Sequence, residues 1–286
     1  MNIPTQLDIF GDQKSINEFL TLSGNNMDDF HSPYPKVKYR YLCWKYLSNI
    51  RNVNMPTIPV DSNLEAVLIE CRILPHVEFI IRNAIIKLGS KWSHTIVCGN
   101  KNYEYMTKMC KGISPNIKTI RLDVDNLDAA TTYNDVLTSL SFWNMFKGEK
   151  ILIHQEDSFI FKTNIDDYLK FDYIGAPWND ALLWINNNGI KLGVGNGGFS
   201  LRTKQTMIKA ITRFPRCSNS TDFEDVYFSR CIYNNDLGLL PSISEAASFS
   251  SEAIVNDQSF GGHCFFNYGS GFDRFIRDCI IPISQP

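Results

Sequence analysis

The chain has 286 residues, which suits either two average domains or one α/β domain of about 200–250 residues with an extension. Lysine and arginine total 28 against 30 aspartates and glutamates, and this net charge of −2 lacks the basic excess of a dedicated nucleic-acid binder. Apolar residues at 44% and aromatic residues at 13% supply ample core material, which excludes a disordered chain.

The N-terminus shows none of the features of a secretory signal. It carries Asp8 and Asp12 and has no basic segment followed by an apolar core. No apolar run reaches the roughly 18 residues that a membrane span requires. The 8 cysteines show neither CxxC spacing nor the density of a disulfide scaffold, so we expect reduced thiols in a cytoplasmic protein.

Residues 1–60 are predicted to form an N-terminal helical extension, and residues 61–286 the main domain. Within the extension, KVKYRYLCWKYLSNI places aromatic and aliphatic residues at helical spacing. A basic, aromatic helix of this kind can lie on a membrane or a partner, but packing onto the main domain is favoured. Residues 34–46 also offer a contact for a homodimer.

From Leu64 onward, strand patterns alternate with helix patterns. The predicted strands are EAVLIE, HTIVCGN, NIKTIRLD, EKILIHQED and FDYIGAPW, and the predicted helices are PHVEFIIRNAIIKLG, which ends at Gly89, and residues 131–146. This alternation predicts an α/β fold with a mostly parallel, doubly wound sheet flanked by helices. Ligands of such sheets bind at the carboxyl ends of the strands.

The second half of the chain is less regular. KLGVGNGGFSLRTKQTMIKAITRF joins a glycine-rich strand to a helix. STDFEDVYFSRCIY predicts a second helix, capped at Ser220, Thr221 or Asp222.

The polar residues Gln155-Glu156-Asp157 follow the strand ILIH directly. A carboxylate at this edge of the sheet can bind a hard divalent cation, which can in turn hold a diphosphate. The alternative is that the two acids only cap the next turn.

Four glycines, at positions 193, 195, 197 and 198, surround Asn196 in GVGNGGFSLR. They permit positive φ angles and a close approach of the backbone to a ligand. A β-bulge or a tight hairpin explains them equally well. The segment precedes a strand rather than a helix, so it is not a dinucleotide-binding glycine loop.

Two further features have both a chemical and a structural interpretation. Glu224 and Asp225 begin a helix. One carboxylate can serve as a general base, or both can simply stabilise the helix by their favourable interaction with its dipole. His263 in FGGHC can join Asp157 in a mixed carboxylate–imidazole site suited to Mn²⁺, or can be a structural histidine.

Taken in order, these segments resemble a known family. EAVLIECRILPHVEFIIRNAIIKLG, ILIHQEDSF, FDYIGAPW, GVGNGGFSLR, FEDVYFSR and SFGGHCFF are similar to glycosyltransferase-like domains of large DNA viruses, bacteria and plants, a family known mainly from sequence. The resemblance covers about residues 64–268. It implies a GT-A-like, Rossmann-like fold and a transferase that uses a nucleotide-diphosphate sugar.

The resemblance also implies roles for individual residues. Gln155-Glu156-Asp157 stands where such enzymes have an Asp-x-Asp motif, so Asp157 and His263 become the Mn²⁺ or Mg²⁺ ligands. Glu224-Asp225 would supply the base, with Asp225 preferred. The nucleotide pocket would comprise Glu70, Arg72, Gly99, Asn100 and Glu156, and the donor sugar or acceptor would contact Trp178, Asn196 and Gly197.

The expected reaction is transfer of a sugar from a UDP-linked donor to a glycan or protein hydroxyl by an inverting route; a retaining route stays open. A sugar nucleotidyltransferase is disfavoured because ECRILPHVEF lacks a basic glycine-rich loop. A non-catalytic carbohydrate-binding or virion structural protein is favoured only by Gln155. The expected location is the cytoplasm, or the host cytoplasm or virion if the protein is viral.

Overall fold

The computed structural model describes residues 9–127, 130–178, 193–217 and 222–285, with only the backbone at residues 130 and 131. Its strands are β1 Leu64–Ile69, β2 Trp92–Cys98, β3 Lys118–Arg121, β4 Lys150–His154, β5 Ser158–Ile160, β6 Tyr173–Ile174, β7 Phe199–Thr203, β8 Ser250–Ser251 and β9 Gly261–His263. They form a six-stranded sheet in the order β3-β2-β1-β4-β7-β6 and a three-stranded sheet in the order β5-β9-β8.

The strands β3, β2, β1 and β4 of the larger sheet are all parallel, whereas β7 runs antiparallel to both β4 and β6. Both faces of the sheet are covered. Val67 and Ile69 of β1 join one hydrophobic cluster and Leu68 joins another on the opposite face. Burial on both faces explains the continuous apolar runs of β1 and β2. The mostly parallel α/β sheet flanked by helices is therefore confirmed.

The helices are α1 Gln13–Ser23, α2 Met27–His31, α3 Lys36–Lys45, α4 Leu47–Arg51, α5 Val77–Leu88, α6 Tyr103–Ile113, α7 Ala130–Leu137, α8 Leu140–Trp143, α9 Lys204–Arg213, α10 Glu224–Asn235, α11 Ile243–Phe249, α12 Gly271–Phe275 and α13 Ile281–Ser284. Helix α5 ends at Gly89, as predicted, with a φ of 77° and its N–H bonded to the carbonyl of Ile85. None of the helices in the described residues combines the length and the apolar character needed to cross a membrane.

The prediction of one helix over residues 131–146 was wrong, because two helices, α7 and α8, occupy this stretch. The Ser139 hydroxyl accepts a hydrogen bond from the N–H of Phe142, at 3.3 Å, and begins α8. A serine that caps a helix from within an amphipathic pattern breaks the helix without disturbing its hydrophobic spacing.

The cap of α10 also differs from the prediction. The helix begins at Glu224 after Phe223, whose side chain makes no capping bond. The side chain of Asn134 in α7 accepts from the N–H of Glu224 instead, at 3.0 Å. Asp222 forms an ion pair with Arg230. Residues 220 and 221, the other two candidate caps, lie outside the described residues.

The helices of residues 13–51 pack onto the main sheet assembly. Phe19, Tyr39 and Leu42 are fully buried in the same hydrophobic cluster as Phe79 of α5 and Phe275 of α12. Tyr39 also donates a hydrogen bond to the carbonyl of Ser158, at 3.0 Å. The aromatic helix of the extension thus packs on the main body through a common core.

Candidate functional site

The turn between β4 and β5 carries Gln155, Glu156 and Asp157. It is closed by Ser158, whose hydroxyl donates to the carbonyl of Gln155 at 2.6 Å and accepts from its N–H at 3.1 Å. Glu156 and Asp157 are both buried. Because β5 pairs with β9, and Ser158 lies opposite His263, the turn is brought against the chain that follows β9.

Glu156 is enclosed by positive charge. Arg40 of α3 makes two hydrogen bonds to its carboxylate, His76 Nε2 lies 2.9 Å from Oε2, and Arg72 Nη2 lies 3.4 Å from Oε1. Burial and the neighbouring charge of Asp157 both act to raise the pKa of Glu156, but His76 and Arg40 outweigh them and lower it to about 2. Glu156 is thus ionised and pairs with the basic residues around it.

Asp157 faces a different set of partners. Lys36 Nζ lies 2.7 Å from Oδ2, Cys264 Sγ lies 3.4 Å from the same oxygen, and His263 Nε2 lies 3.3 Å from Oδ1. Within the part of the chain that the structure describes, Oδ1 has no hydrogen-bond partner. Burial acts to raise the pKa of Asp157, but His263 and Lys36 outweigh it and lower the pKa well below its usual range. A buried, ionised oxygen without a donor is suited to a cation.

His263 is oriented from behind by a carboxylate. Its Nδ1 lies 3.0 Å from Glu252 Oε1, and the Asn196 side chain donates to the other Glu252 oxygen. This leaves Nε2 directed at Asp157. A carboxylate on one ring nitrogen and a cation site at the other is the usual arrangement around metal-binding histidines. Asp157 and His263, both predicted metal ligands, are therefore adjacent.

The glycine-rich loop permits close approaches, as predicted. Asn196 has a φ of 85°, and its side-chain oxygen accepts from the N–H groups of Gly198 and Phe199 at 2.9 and 3.0 Å. A Cβ on Gly197 would lie 2.0 Å from Glu224 Oε1, and one on Gly198 would lie 2.3 Å from His263 Nε2. Glycine is required at both positions because the loop crosses directly over these side chains.

Trp178 lies against the same loop. The backbone N–H of Trp178 donates to the carbonyl of Gly193 at 2.5 Å, and a Cβ on Gly195 would lie 1.9 Å from the indole ring of Trp178. The sequence predicted Trp178, Asn196 and Gly197 as one contact region, and the structure places them together.

The acidic pair at the start of α10 divides into two environments. Both oxygens of Glu224 accept from Arg202, at 2.6 and 2.9 Å, and the side chains of Glu224 and Arg202 are buried. Asp225 accepts instead from the N–H of Asn196, at 3.1 Å, and from its own neighbour Val226, at 2.8 Å. Burial and then the charge of Glu224 raise the pKa of Asp225 to about 6. Asp225 therefore has the proton affinity expected of a general base.

The predicted nucleotide residues are only partly brought together. Glu70 holds Arg72 through two hydrogen bonds of 2.8 and 2.7 Å, and the Arg72 side chain stays 45% exposed. Gly99 and Asn100 follow β2, one strand further out. Gly99 donates to Asn102, and the Asn100 side chain bonds Asp123 at the surface.

Two neighbouring cavities contain most of these residues. The first, of about 210 Å³, is lined by residues that include Glu70, Arg72 and Asp157. The second, of about 340 Å³, is lined by residues that include Gly197 and Asp225. Leu127, Tyr133 and Gln155 line both cavities. Gly99 and Asn100 are in neither set of lining residues.

Sequence reasoning missed several residues of this site, among them Lys36, Arg40, Glu252 and Cys264. The first two lie one helical turn apart in α3 and gave a signal only as part of a basic helix. Cys264 directly follows the predicted ligand His263, and its own side chain is a ligand type. Glu252 gave no local signal, because its role depends on a contact with His263.

Comparison with known proteins places the chain in a family. Residues 116–263, more than half of the chain, match the family model described as "Protein of unknown function (DUF5672)". The chain belongs to the DUF5672 family. The part of this DUF5672 protein that matches includes Asp157, Asp225 and His263, whereas Lys36 and Arg72 precede it.

No curated protein matches this DUF5672 chain in sequence. Among solved structures, it is similar to the mannosyltransferase PcManGT from Pyrobaculum calidifontis in complex with GDP-Man and Mn²⁺, with 8% identity and a TM-score of 0.41 over 75% of this chain and 61% of that one. It is similar to the apo form of glycosyltransferase GlyE from Streptococcus pneumoniae, with 10% identity and a TM-score of 0.39 over 61% of this chain and 44% of that one.

A third similar structure is the apo form of mouse xyloside xylosyltransferase 1, with 7% identity and a TM-score of 0.44 over 70% of this chain and 97% of that one. The chain thus spans less than two thirds of the first two structures. The family description assigns no activity, so we infer the function of this DUF5672 protein from its side chains.

Proposed function

We propose that this protein transfers a sugar from a nucleotide-diphosphate donor to an acceptor hydroxyl. One observation carries the proposal. Buried Asp157, which faces His263 in a pair suited to a cation, borders one cavity, Asp225 with its raised pKa borders the next, and the two cavities share Tyr133 and Gln155. A leaving-group site beside a base is what direct displacement between two bound substrates requires.

The donor belongs in the first cavity. The Arg72 guanidinium is held by Glu70 and partly exposed, so it can pair with a phosphate oxygen while keeping its own carboxylate partner. The residues present fit a divalent cation, because Asp157 Oδ1 has no donor among the described residues and His263 Nε2 faces it. A cation bound there would neutralise the diphosphate and stabilise the leaving group.

The acceptor belongs in the second cavity. Asp225 removes the proton of the acceptor hydroxyl as that oxygen attacks the sugar carbon, and the bond to the diphosphate breaks. The N–H of Asn196 holds Oδ2, which fixes the direction of the carboxylate. A base on the side opposite the leaving group corresponds to inversion. Following the sequence resemblance, we assign a UDP-sugar as donor and a glycan or protein hydroxyl as acceptor. Cytoplasmic or virion location and a homodimer stay predictions from sequence.

One observation favours a second candidate, a non-catalytic carbohydrate-binding protein. Lys36 already neutralises Asp157, and Arg40 already neutralises Glu156. A site whose carboxylates are satisfied by the protein itself can persist without a metal or turnover.

Thermal unfolding with a panel of nucleotide sugars, with and without Mn²⁺, tests the proposal. A donor at 100 times its Kd adds about 2.7 kcal/mol to the free energy of unfolding. For a chain of this size that is a rise in Tm of roughly 4–5 °C. We expect one nucleotide sugar to give a Mn²⁺-dependent shift, and Asp157→Asn to remove the dependence on Mn²⁺. No shift with any nucleotide sugar, with or without metal, would favour the non-catalytic candidate.

A further inference from the structure

A third side chain, Cys264, completes a cluster with Asp157 and His263. The three ligand atoms lie within 4.8 Å of one another. Cys264 Sγ lies 3.4 Å from Asp157 Oδ2 and 3.6 Å from His263 Nε2, and Nε2 lies 3.3 Å from Asp157 Oδ1. Oxygen, nitrogen and sulfur thus surround one point.

These separations are those of a tetrahedral site. Ligand atoms bound to Zn²⁺ at about 2.0–2.3 Å and at tetrahedral angles lie about 3.4–3.6 Å from one another. Octahedral ligands of Mg²⁺, at about 2.0–2.1 Å and right angles, lie only about 3 Å apart. The Sγ–Nε2 separation of 3.6 Å matches the tetrahedral value, and the two separations from Asp157 fall in the same range although they end on different oxygens of its carboxylate.

The backbone fixes Cys264 in this position. The residue has a φ of 45°, in the left-handed region that a non-glycine residue seldom adopts, and its N–H donates to the carbonyl of Asp157 at 3.0 Å. The bond continues the pairing of β5 with β9 by one residue. On the other side, Glu252 holds His263 Nδ1. His263 is therefore held by a contact outside the cluster, and Cys264 is held by the backbone of Asp157.

We infer that Asp157, His263 and Cys264 form a three-ligand site for a thiophilic divalent cation, Zn²⁺ or Co²⁺, in preference to Mg²⁺. A thiolate is a soft ligand that favours zinc and its neighbours over the hard, oxygen-seeking Mg²⁺. Three protein ligands leave a fourth position for a substrate oxygen. The link between this three-ligand site and catalysis rests on the proposed function, but cation binding at the site does not.

Cobalt spectroscopy tests the inference directly, because a cobalt–thiolate bond gives an intense near-ultraviolet absorption that nitrogen and oxygen ligands do not. The full chain, freed of metal with a chelator, is titrated with Co²⁺. We expect this band in the unaltered protein and in Cys217→Ser, which removes an exposed cysteine elsewhere, and its loss in Cys264→Ser. Zn²⁺ should displace Co²⁺ at equimolar concentration, while a 100-fold excess of Mg²⁺ should not.

Three outcomes would overturn the inference: no thiolate band in the unaltered protein, an undiminished band in Cys264→Ser, or equal displacement by Mg²⁺ and Zn²⁺. Circular dichroism checks that the variants fold. If Cys264→Ser does not, His263→Gln decides, since it keeps the thiol and should weaken Co²⁺ binding at least 100-fold; unchanged binding contradicts the site.

The experiments distinguish a failure of this inference from a failure of the proposed function. A thiolate band without binding of any nucleotide sugar would contradict only the function. A Mg²⁺-supported sugar transfer that is unaffected in Cys264→Ser, with no thiolate band, would contradict only the cation site.

Discussion

Asp225 and Glu224 are adjacent in sequence but differ in what they can do. Both border the second cavity, but Arg202 occupies both oxygens of Glu224, whereas among the described residues Asp225 accepts from two backbone N–H groups. Asp225→Asn keeps an acceptor oxygen for one of these two N–H groups and removes the base. We expect sugar transfer to fall about 10²–10⁴-fold while nucleotide-sugar binding is retained. Full activity of the variant, measured in steady-state kinetics, would exclude Asp225 as the base.

The pH dependence follows from the same residue. Burial and the charge of Glu224 raise the pKa of Asp225 to about 6. A base acts only when deprotonated, so kcat/KM should be lost as the pH falls through about 6 and should reach a plateau above it. The measurement is kcat/KM against pH with saturating cation. A profile that stays level across this range would contradict the assignment.

Arg202 has a structural role next to that base. It is fully buried, pairs with Glu224 and lies over the ring of Tyr173, 4.8 Å from the centroid. Arg202→Met leaves a buried carboxylate without its partner, which should lower the free energy of unfolding by about 3–5 kcal/mol. Urea denaturation measures the loss. Lys170→Met, which breaks an exposed pair with Glu245, is the control and should cost far less.

Helix α3 connects the N-terminal segment to the cation site. Lys36 and Arg40 lie one turn apart, so both reach the turn after β4. Because the Lys36 ammonium competes with a metal for Asp157, Lys36→Met should tighten divalent-cation binding, measured by calorimetric titration. Lys38→Met is the matched control on the same helix, since Lys38 lies near Phe30 instead. Equal affinity in the two variants would show that Lys36 does not compete.

The elements differed in how far sequence could predict them. Continuous apolar runs predicted β1, β2 and β4, because strands buried on both faces of a sheet leave a strong pattern. Helix α5 was predicted with its end at Gly89. The break at Ser139 was missed, since a cap inside an amphipathic stretch leaves the hydrophobic spacing intact.

The site shows the same limit. Asp157 and His263 were found from local context, but the contacts of Asp157 with Lys36 and with His263 each join residues more than a hundred positions apart. Periodicity carries no record of such a contact.

One hydrophobic cluster contains residues from the first, middle and last parts of the described chain. Tyr39 lies in a cluster with Phe79 and Phe275, and its ring stacks on Phe266 with centroids 4.6 Å apart. Tyr39→Ala should therefore lower the free energy of unfolding by about 3–5 kcal/mol and shift one common transition. Tyr34→Ala, an exposed tyrosine of the same segment, is the control. A second transition that alone moves in Tyr39→Ala would contradict a shared interior.

Asn196 has a consequence for the order of events in the proposed reaction. Its side chain holds Glu252, which supports His263, while its backbone N–H holds Asp225. The loop at Asn196 thus joins the residues that would receive the donor to the residue that would activate the acceptor. A small displacement of this loop on donor binding would reorient the base before the second substrate arrives. Such a linkage is the structural condition for compulsory-order kinetics, in which the donor enters first and the spent nucleotide leaves last.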